Sequence, residues 1–134
     1  MKKMRVGIVG AGNIGCAIAK YPTFQREGFR PLAMFDNDPE KIGVPVGDIP
    51  VYSMEEMPNF LKENMPDIAV LALPRRVAQE ALDKLYPCSI RAVWNFAPTD
   101  LTHSDDMLVV NVHLTDSLQT LTYHMAHRNE ENSK

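Results

Sequence analysis

The chain has 134 residues, of which 45% are hydrophobic and 23% charged. That is ordinary composition for a globular domain: enough chain to bury one core, too little for a cofactor domain followed by a second domain of full size. Fourteen Lys and Arg against seventeen Asp and Glu give a net charge of −3, with basic clusters only at Lys2-Lys3-Arg5 and Arg75-Arg76, so the basic surplus or face of a protein that grips duplex DNA by its phosphates is not seen.

In chain order, strand and helix patterns alternate. Arg5 to Val9 (RVGIV) is a short branched apolar run, as for a strand buried on both faces. Asn13 to Lys20 reads as a helix with Ile14, Ile18 and the alanines facing a sheet, ended or bent at Pro22. Arg30 to Phe35 (RPLAMF) predicts a second strand, stopped by the turn cluster Asp36-Asn37-Asp38-Pro39. Glu40 to Pro50 is irregular, and Val51-Tyr52 is a short strand. Ser53 with Glu56 three residues on predicts a capping box opening a helix through Asn64. Asp67 to Leu73 (DIAVLAL) is the clearest buried strand. Arg75 to Leu85 is a helix with Val77, Ala81, Leu82 and Leu85 inward. Ala92 to Asn95 and Leu108 to Asn111 are two more strands, Thr115 to His127 is a last helix capped by Thr115, and the remainder is a polar tail. This alternation implies βαβ units in a doubly wound α/β, mostly parallel sheet.

Gly10-Ala11-Gly12-Asn13-Ile14-Gly15 fits G-x-G-x-x-G between a strand and a helix. Gly10 permits the tight turn, Gly12 lets backbone approach a pyrophosphate, and Gly15 lets the helix pack on the strand. The helix N–H groups and dipole then face the phosphates. Asp36, twenty-one residues beyond Gly15, ends the second strand and suits the two ribose hydroxyls of an adenosine. It would repel a 2′-phosphate, and Asn37 and Asp38 bring no cation, so NAD(H) is expected over NADP(H). Coenzyme A on the same scaffold, or a glycine turn kept only for packing, are the alternatives.

Here the chain resembles a known family, the nucleotide-binding domain of Rex, the bacterial NADH/NAD-responsive transcriptional repressor. The resemblance rests on VGAGNIG (Val9 to Gly15), Tyr21, Gly28-Phe29, FDNDPEKIG (Phe35 to Gly43), LALP (Leu71 to Pro74), AQE (Ala78 to Glu80), WNFAP (Trp94 to Pro98) and NVHLTDSLQTLTYHM (Asn111 to Met125). It implies a Rossmann domain that binds NAD(H), a homodimer, nicotinamide pockets near the dimer interface, and a last helix exchanged with the partner subunit. It also implies release from an operator on NADH binding. The chain departs from the family twice. Met1 lies directly before the first strand, where the family carries a winged-helix domain, so direct DNA binding by this chain is not expected. His113 stands where the family usually has the Asp of V-D-L, which puts the family's switch between subunit arrangements in doubt.

The expected cofactor site is therefore Gly10, Ala11, Gly12, Asn13, Ile14, Gly15, Asp36, Asn37, Lys41, Leu73, Pro74, Asn95, Phe96, Ala97 and Pro98. Leu73-Pro74 and Asn95 to Pro98 end strands, whose C-termini line the ligand crevice of such a sheet. Pro74 is read beside the nicotinamide ribose or simply as a strand stop. Asn95 bonds the carboxamide or ribose, or else stabilises its loop; Trp94 is read as core. Leu114, Leu118, Leu121 and Met125 recur at steps of four, three and four, one apolar stripe. The stripe packs on its own domain or on a partner, and the resemblance favours the partner. Residues 1–112 are thus expected to form the NAD(P)-binding Rossmann domain, and 113–134 the dimerisation helix and tail.

Cys16, in the first turn of a helix, is a reactive thiol or a small buried hydrophobe. Arg75-Arg76 is a solvated face, or helps hold phosphate or meet a dimer mate. His103, His113, His124 and His127 make no zinc pattern, and no metal is expected. Cys16 and Cys88 sit in no disulfide framework, no leader fits before the first strand, and no apolar run approaches the roughly 20 residues of a membrane span, so a cytoplasmic location is expected. No catalytic set is visible, so the chain is not read as an enzyme. The expected function is an NAD(H)-binding, Rex-like redox-sensing module acting through a homodimer and a separate protein partner. The alternatives are a coenzyme A module, the cofactor half of a two-chain oxidoreductase, or part of a Rex repressor itself.

Overall fold

A computed structural model describes residues 3–112. The strands are β1 (Met4–Val9), β2 (Phe29–Asp36), β3 (Val51–Ser53), β4 (Ile68–Leu71), β5 (Ala92–Asn95) and β6 (Leu108–Asn111). The helices are α1 (Asn13–Lys20), α2 (Pro22–Arg26), α3 (Met57–Asn64) and α4 (Arg75–Leu85), the last running into a 3₁₀ turn at Tyr86–Cys88. The strands form one sheet in the order β3-β2-β1-β4-β5-β6. Every strand pairing in it is parallel. The chain winds outward one way from β1 through β2 to β3, then restarts at β4 on the other side. The expected doubly wound Rossmann architecture is the one found.

Successive residues along a strand serve opposite faces. Val9, Ala33, Phe35, Ala69, Leu71 and Val93 join Leu61 of α3 and Ala81, Leu82 and Leu85 of α4 in one core. Val6, Ile8, Met34, Val51 and Val70 join Ala19 of α1 and Phe24 of α2 in the other. Burial on both faces is why these strands read as near-continuous apolar runs. Trp94 packs on the second core, stacked at 6.1 Å on Phe24 and tilted against Phe96 at 4.7 Å.

Three local expectations need correction. Ile14 is 40% exposed, and the face of α1 that meets the sheet is centred on Gly15 and Ala19. Small residues there let the helix axis approach the strand, which turns Ile14 outward. Pro22 does more than end α1, because it starts α2 at a position where its missing N–H costs nothing. The Ser53–Glu56 pair forms, with Ser53 N–H and Oγ–H donating to Glu56 Oε2 at 2.9 and 3.1 Å and Glu56 N–H to Ser53 Oγ at 3.3 Å. It closes a turn, however, and α3 begins only at Met57. Pro58 has no N–H to give Met54, so the helical ladder opens with Phe60 N–H donating to the Glu56 carbonyl.

Pro31 lies in β2, where register against β1 shifts from Val6–Pro31 to Gly7–Ala33. The bulge skips Leu32 beside a residue that cannot donate to the ladder. The expected last helix, the stripe Leu114, Leu118, Leu121 and Met125, and His113 lie outside the described residues.

Candidate functional site

All the strands point their C-terminal ends to one edge, and the order reverses between β1 and β4, where open α/β sheets form their ligand crevice. The glycine turn sits there. Gly10 has φ +108°, and a Cβ on it would lie 2.2 Å from the Ala72 carbonyl oxygen. A Cβ on Gly15 would lie 2.0 Å from the Gly10 carbonyl oxygen, whereas one on Gly12 would meet nothing within 4 Å. Two glycines thus shape the turn and the third leaves its outer side bare, as a phosphate site requires.

Asp36 ties the end of β2 to this turn. Its Oδ2 accepts the Ala11 N–H at 2.8 Å and its Oδ1 accepts the Asp38 N–H at 2.8 Å. Each oxygen keeps a further lone pair, so the carboxylate, already oriented by backbone, can still accept from a ribose diol. Gly10 N–H donates to the Phe35 carbonyl at 2.7 Å, a second link between the turn and β2.

A cleft of about 370 Å³ opens beside these groups. Of the expected residues it brings together Gly10, Gly12, Asp36, Asn37, Lys41, Leu73 and Pro74. A neighbouring hollow of about 290 Å³ on the outer side of the turn takes in Ala11, Gly12, Asn13 and Lys41. Ile14 is exposed, and Gly15 is buried beneath the turn and touches neither space. Cys16 lines the outer hollow with its thiol directed to the Ala11 carbonyl at 3.3 Å.

The β5 end is arranged differently. Asn95 is 0% exposed. Its Oδ1 accepts the Ala97 N–H at 2.9 Å, and its Nδ2 donates towards the carbonyls of Ala97 and Thr99 and towards Asn111 Oδ1 at 3.0 Å. Of its two sequence readings, loop stabilisation is the one these bonds support. Phe96 is half-buried against Trp94, Ala97 is buried, and Pro98 is exposed with its carbonyl accepting from Arg75 Nε at 3.1 Å.

Helix α4 supplies residues that the sequence reading missed, together with Arg76, which it offered as a phosphate contact or a solvated face. Arg76, Val77, Glu80, Ala81 and Lys84 line the main cleft, with Met54 and Asp38. The signal was present: residues 76, 80 and 84 are one helix face just after a strand C-terminus. Arg75 and Arg76 therefore part company, Arg75 to the β5–β6 loop and Arg76 to the cleft. Asn37 and Asp38 bring no cation to Asp36, but other residues do. In space Lys41, Arg76 and Lys84 share the cleft with Asp36, Asp38 and Glu80, and Lys84 Nζ lies 3.5 Å from Glu80 Oε1.

Among the described residues no group of three His, Cys, Asp or Glu is placed to hold a metal, and no helix is long and apolar enough to cross a membrane.

Comparison with known proteins agrees with this geometry. A redox-sensing transcriptional repressor Rex from Caldicellulosiruptor saccharolyticus is 41% identical over 91% of this chain and 56% of its own length. The crystal structure of RSP, a Rex-family repressor, in complex with β-NADH superposes with a TM-score of 0.85 at 38% identity, over 98% of this chain and 64% of that one. RSP in complex with β-NAD⁺ and operator DNA gives a TM-score of 0.86 at 38% identity, over 98% and 61%. This chain spans little more than half the length of the curated relatives it matches, and those relatives are named as transcriptional repressors, not enzymes. The resemblance to the nucleotide-binding part of Rex extends over nine-tenths of the chain. Residues 1–99 match the CoA binding domain family, and the chain belongs to that family.

Proposed function

We propose that this chain binds NAD(H) across the C-terminal edge of its sheet and serves as a redox-sensing module. The observation that carries this reading is the Asp36 carboxylate, held on the Ala11 N–H beside an open glycine turn and facing the cleft. The adenosine ribose would lie on Asp36, the pyrophosphate on the turn and the α1 N-terminus, and the nicotinamide towards the ends of β4 and β5. Similarity to RSP, crystallised with β-NADH and with β-NAD⁺, supports the same ligand. NADH and NAD⁺ differ in ring charge, so a pocket that distinguishes them tilts two subunit arrangements by at most the difference in binding free energy. The module acts as a homodimer through Leu114, Leu118, Leu121 and Met125, with a separate protein partner receiving the signal.

A second reading is coenzyme A, favoured by the family match and by Lys41, Arg76 and Lys84 around the cleft. Titration with NADH, NAD⁺ and coenzyme A, followed by Trp94 emission with a sizing column in parallel, separates the two. Tight NADH binding to a dimer is the expected result. Equal affinities for NADH and NAD⁺ would remove the sensor, and binding of coenzyme A alone would overturn the dinucleotide reading.

A further inference from the structure

Helix α4 works on three sides. Ala78, Leu82 and Leu85 are buried, while Arg76, Glu80 and Lys84 line the cleft. The third side, Arg75 and Gln79, reaches the loop between β5 and β6. Gln79 Nε2 donates to the Thr102 carbonyl at 2.8 Å, and Gln79 Oε1 accepts the Thr102 N–H at 2.9 Å. One side-chain amide thus pairs both backbone groups of one residue, as a neighbouring strand would. Nε2 also donates to Asp83 Oδ1 at 2.9 Å, one helical turn on, which holds the amide in its rotamer. Thr102 lies 23 residues away in sequence, so this is a tertiary clasp and no part of the helix's own order.

The same loop begins on Asn95, which grips Ala97 and Thr99 from inside. Residues 96–102 are therefore held from within by β5 and from outside by α4. In the sheet order β5 lies beyond β4 from β1, on the side away from β2 and Asp36. The loop that follows β5 borders the nicotinamide end of a dinucleotide whose ribose lies on Asp36. From this placement we infer that Gln79 is a positioning residue for the nicotinamide half of the site: it touches no ligand, and it fixes the loop over that half to the helix that lines the adenosine half. This rests on the dinucleotide reading above.

The distinguishing consequence is a split between ligands. ADP carries only the adenosine and pyrophosphate parts, which use the glycine turn, Asp36 and the cleft face of α4. NADH carries both halves. Gln79→Met keeps side-chain length and removes both bonds to Thr102; Gln79→Glu keeps the acceptor for Thr102 N–H and loses the donor. The expected result for Gln79→Met is NADH binding weaker by about tenfold with ADP binding within about twofold of wild type, as for loss of two modest hydrogen bonds. Gln79→Glu sets a carboxylate oxygen against the Thr102 carbonyl and the Asp83 carboxylate and should lose at least as much NADH affinity as Gln79→Met. Independently of ligand, hydrogen exchange at the Thr102 amide should quicken by about tenfold or more in Gln79→Met. Equal losses for NADH and ADP, or NADH binding at wild-type strength with Thr102 protection unchanged, would overturn the inference alone. Wild-type protein that binds no NADH would sink the dinucleotide reading and this inference with it.

Discussion

At the glycine turn, position is set by backbone and by side chains that are not there. Gly10 and Gly15 each leave a gap that a methyl group would close against a carbonyl oxygen. At the loop after β5, position is set by side-chain amides: Asn95 from inside the sheet and Gln79 from α4. The first region tolerates no added atom. The second tolerates atoms but not the loss of a donor or acceptor. The two ends of one crevice thus fail by different routes, one through steric overlap and the other through unpaired backbone groups.

Substitution at the turn gives the largest expected effect. Gly15→Ala drives a Cβ into the Gly10 carbonyl oxygen and should cost about 3 kcal/mol or more of stability, or prevent folding. Gly12→Ala meets no atom of the protein and should leave the melting temperature nearly unchanged while weakening NADH, because its Cβ stands where the pyrophosphate would approach. Thermal unfolding of both variants beside an NADH titration checks the pair. Equal destabilisation by the two would break the view that only two of the three glycines shape the turn.

Asn95→Ala comes next. It leaves the buried Ala97 N–H without its partner and should lower stability by about 2 kcal/mol, measured by denaturant unfolding with an unchanged slope. Asn95→Asp keeps the acceptor for Ala97 and tests which half of the amide matters.

Asp36→Ala removes one oriented carboxylate and leaves the Ala11 and Asp38 N–H groups without their acceptor. NADH affinity should fall at least tenfold with a stability loss of about 1–2 kcal/mol, smaller than for Asn95 because Asp36 is only half-buried. Unchanged NADH binding would remove Asp36 from the site.

The smallest effect is expected at the far end of the β5–β6 loop. The Ser104 hydroxyl bond, then the Tyr86 hydroxyl and the Arg91 charge, hold the Asp106 carboxyl below its usual range. Arg91 Nε lies 3.2 Å from Asp106 Oδ2, and its guanidinium lies 3.8 Å from the centre of the Tyr86 ring. A carboxyl whose folded pKa is depressed binds fewer protons folded than unfolded. Its contribution is therefore complete above the ordinary carboxylate pKa and is lost as pH falls through the lowered folded value. Asp106→Asn should remove that contribution, lowering stability slightly at neutral pH and hardly at all near pH 3, so that the acid limb flattens, as fits an exposed group. Chemical unfolding at pH 7 and near pH 3 makes the comparison.

Much of the fold is visible along the chain. The bounds of α1, α4, β5 and β6 agree with the sequence expectation, because each is a periodic run stopped by a turn residue or a proline. The glycine turn and Asp36 belong to one site already in the sequence, although 25 residues separate Ala11 and Asp36. A right-handed parallel crossover brings the end of the second strand beside the first turn whatever the intervening residues do. No such rule governs the loop between β5 and β6, and Asn95 looked as much like a ligand contact as a loop anchor.

Order along the chain therefore settles the sheet, the turn and the acidic residue beside it, since these follow from periodicity and from one repeated unit of known hand. Folding in three dimensions decides which charges meet in the cleft and what holds the loop beyond β5. Arg76, Lys84 and Gln79 acquire their neighbours from the angle at which α4 lies on the sheet. That angle is a packing outcome of Ala81, Leu82 and Leu85 in the core beneath α4, and no local pattern encodes it.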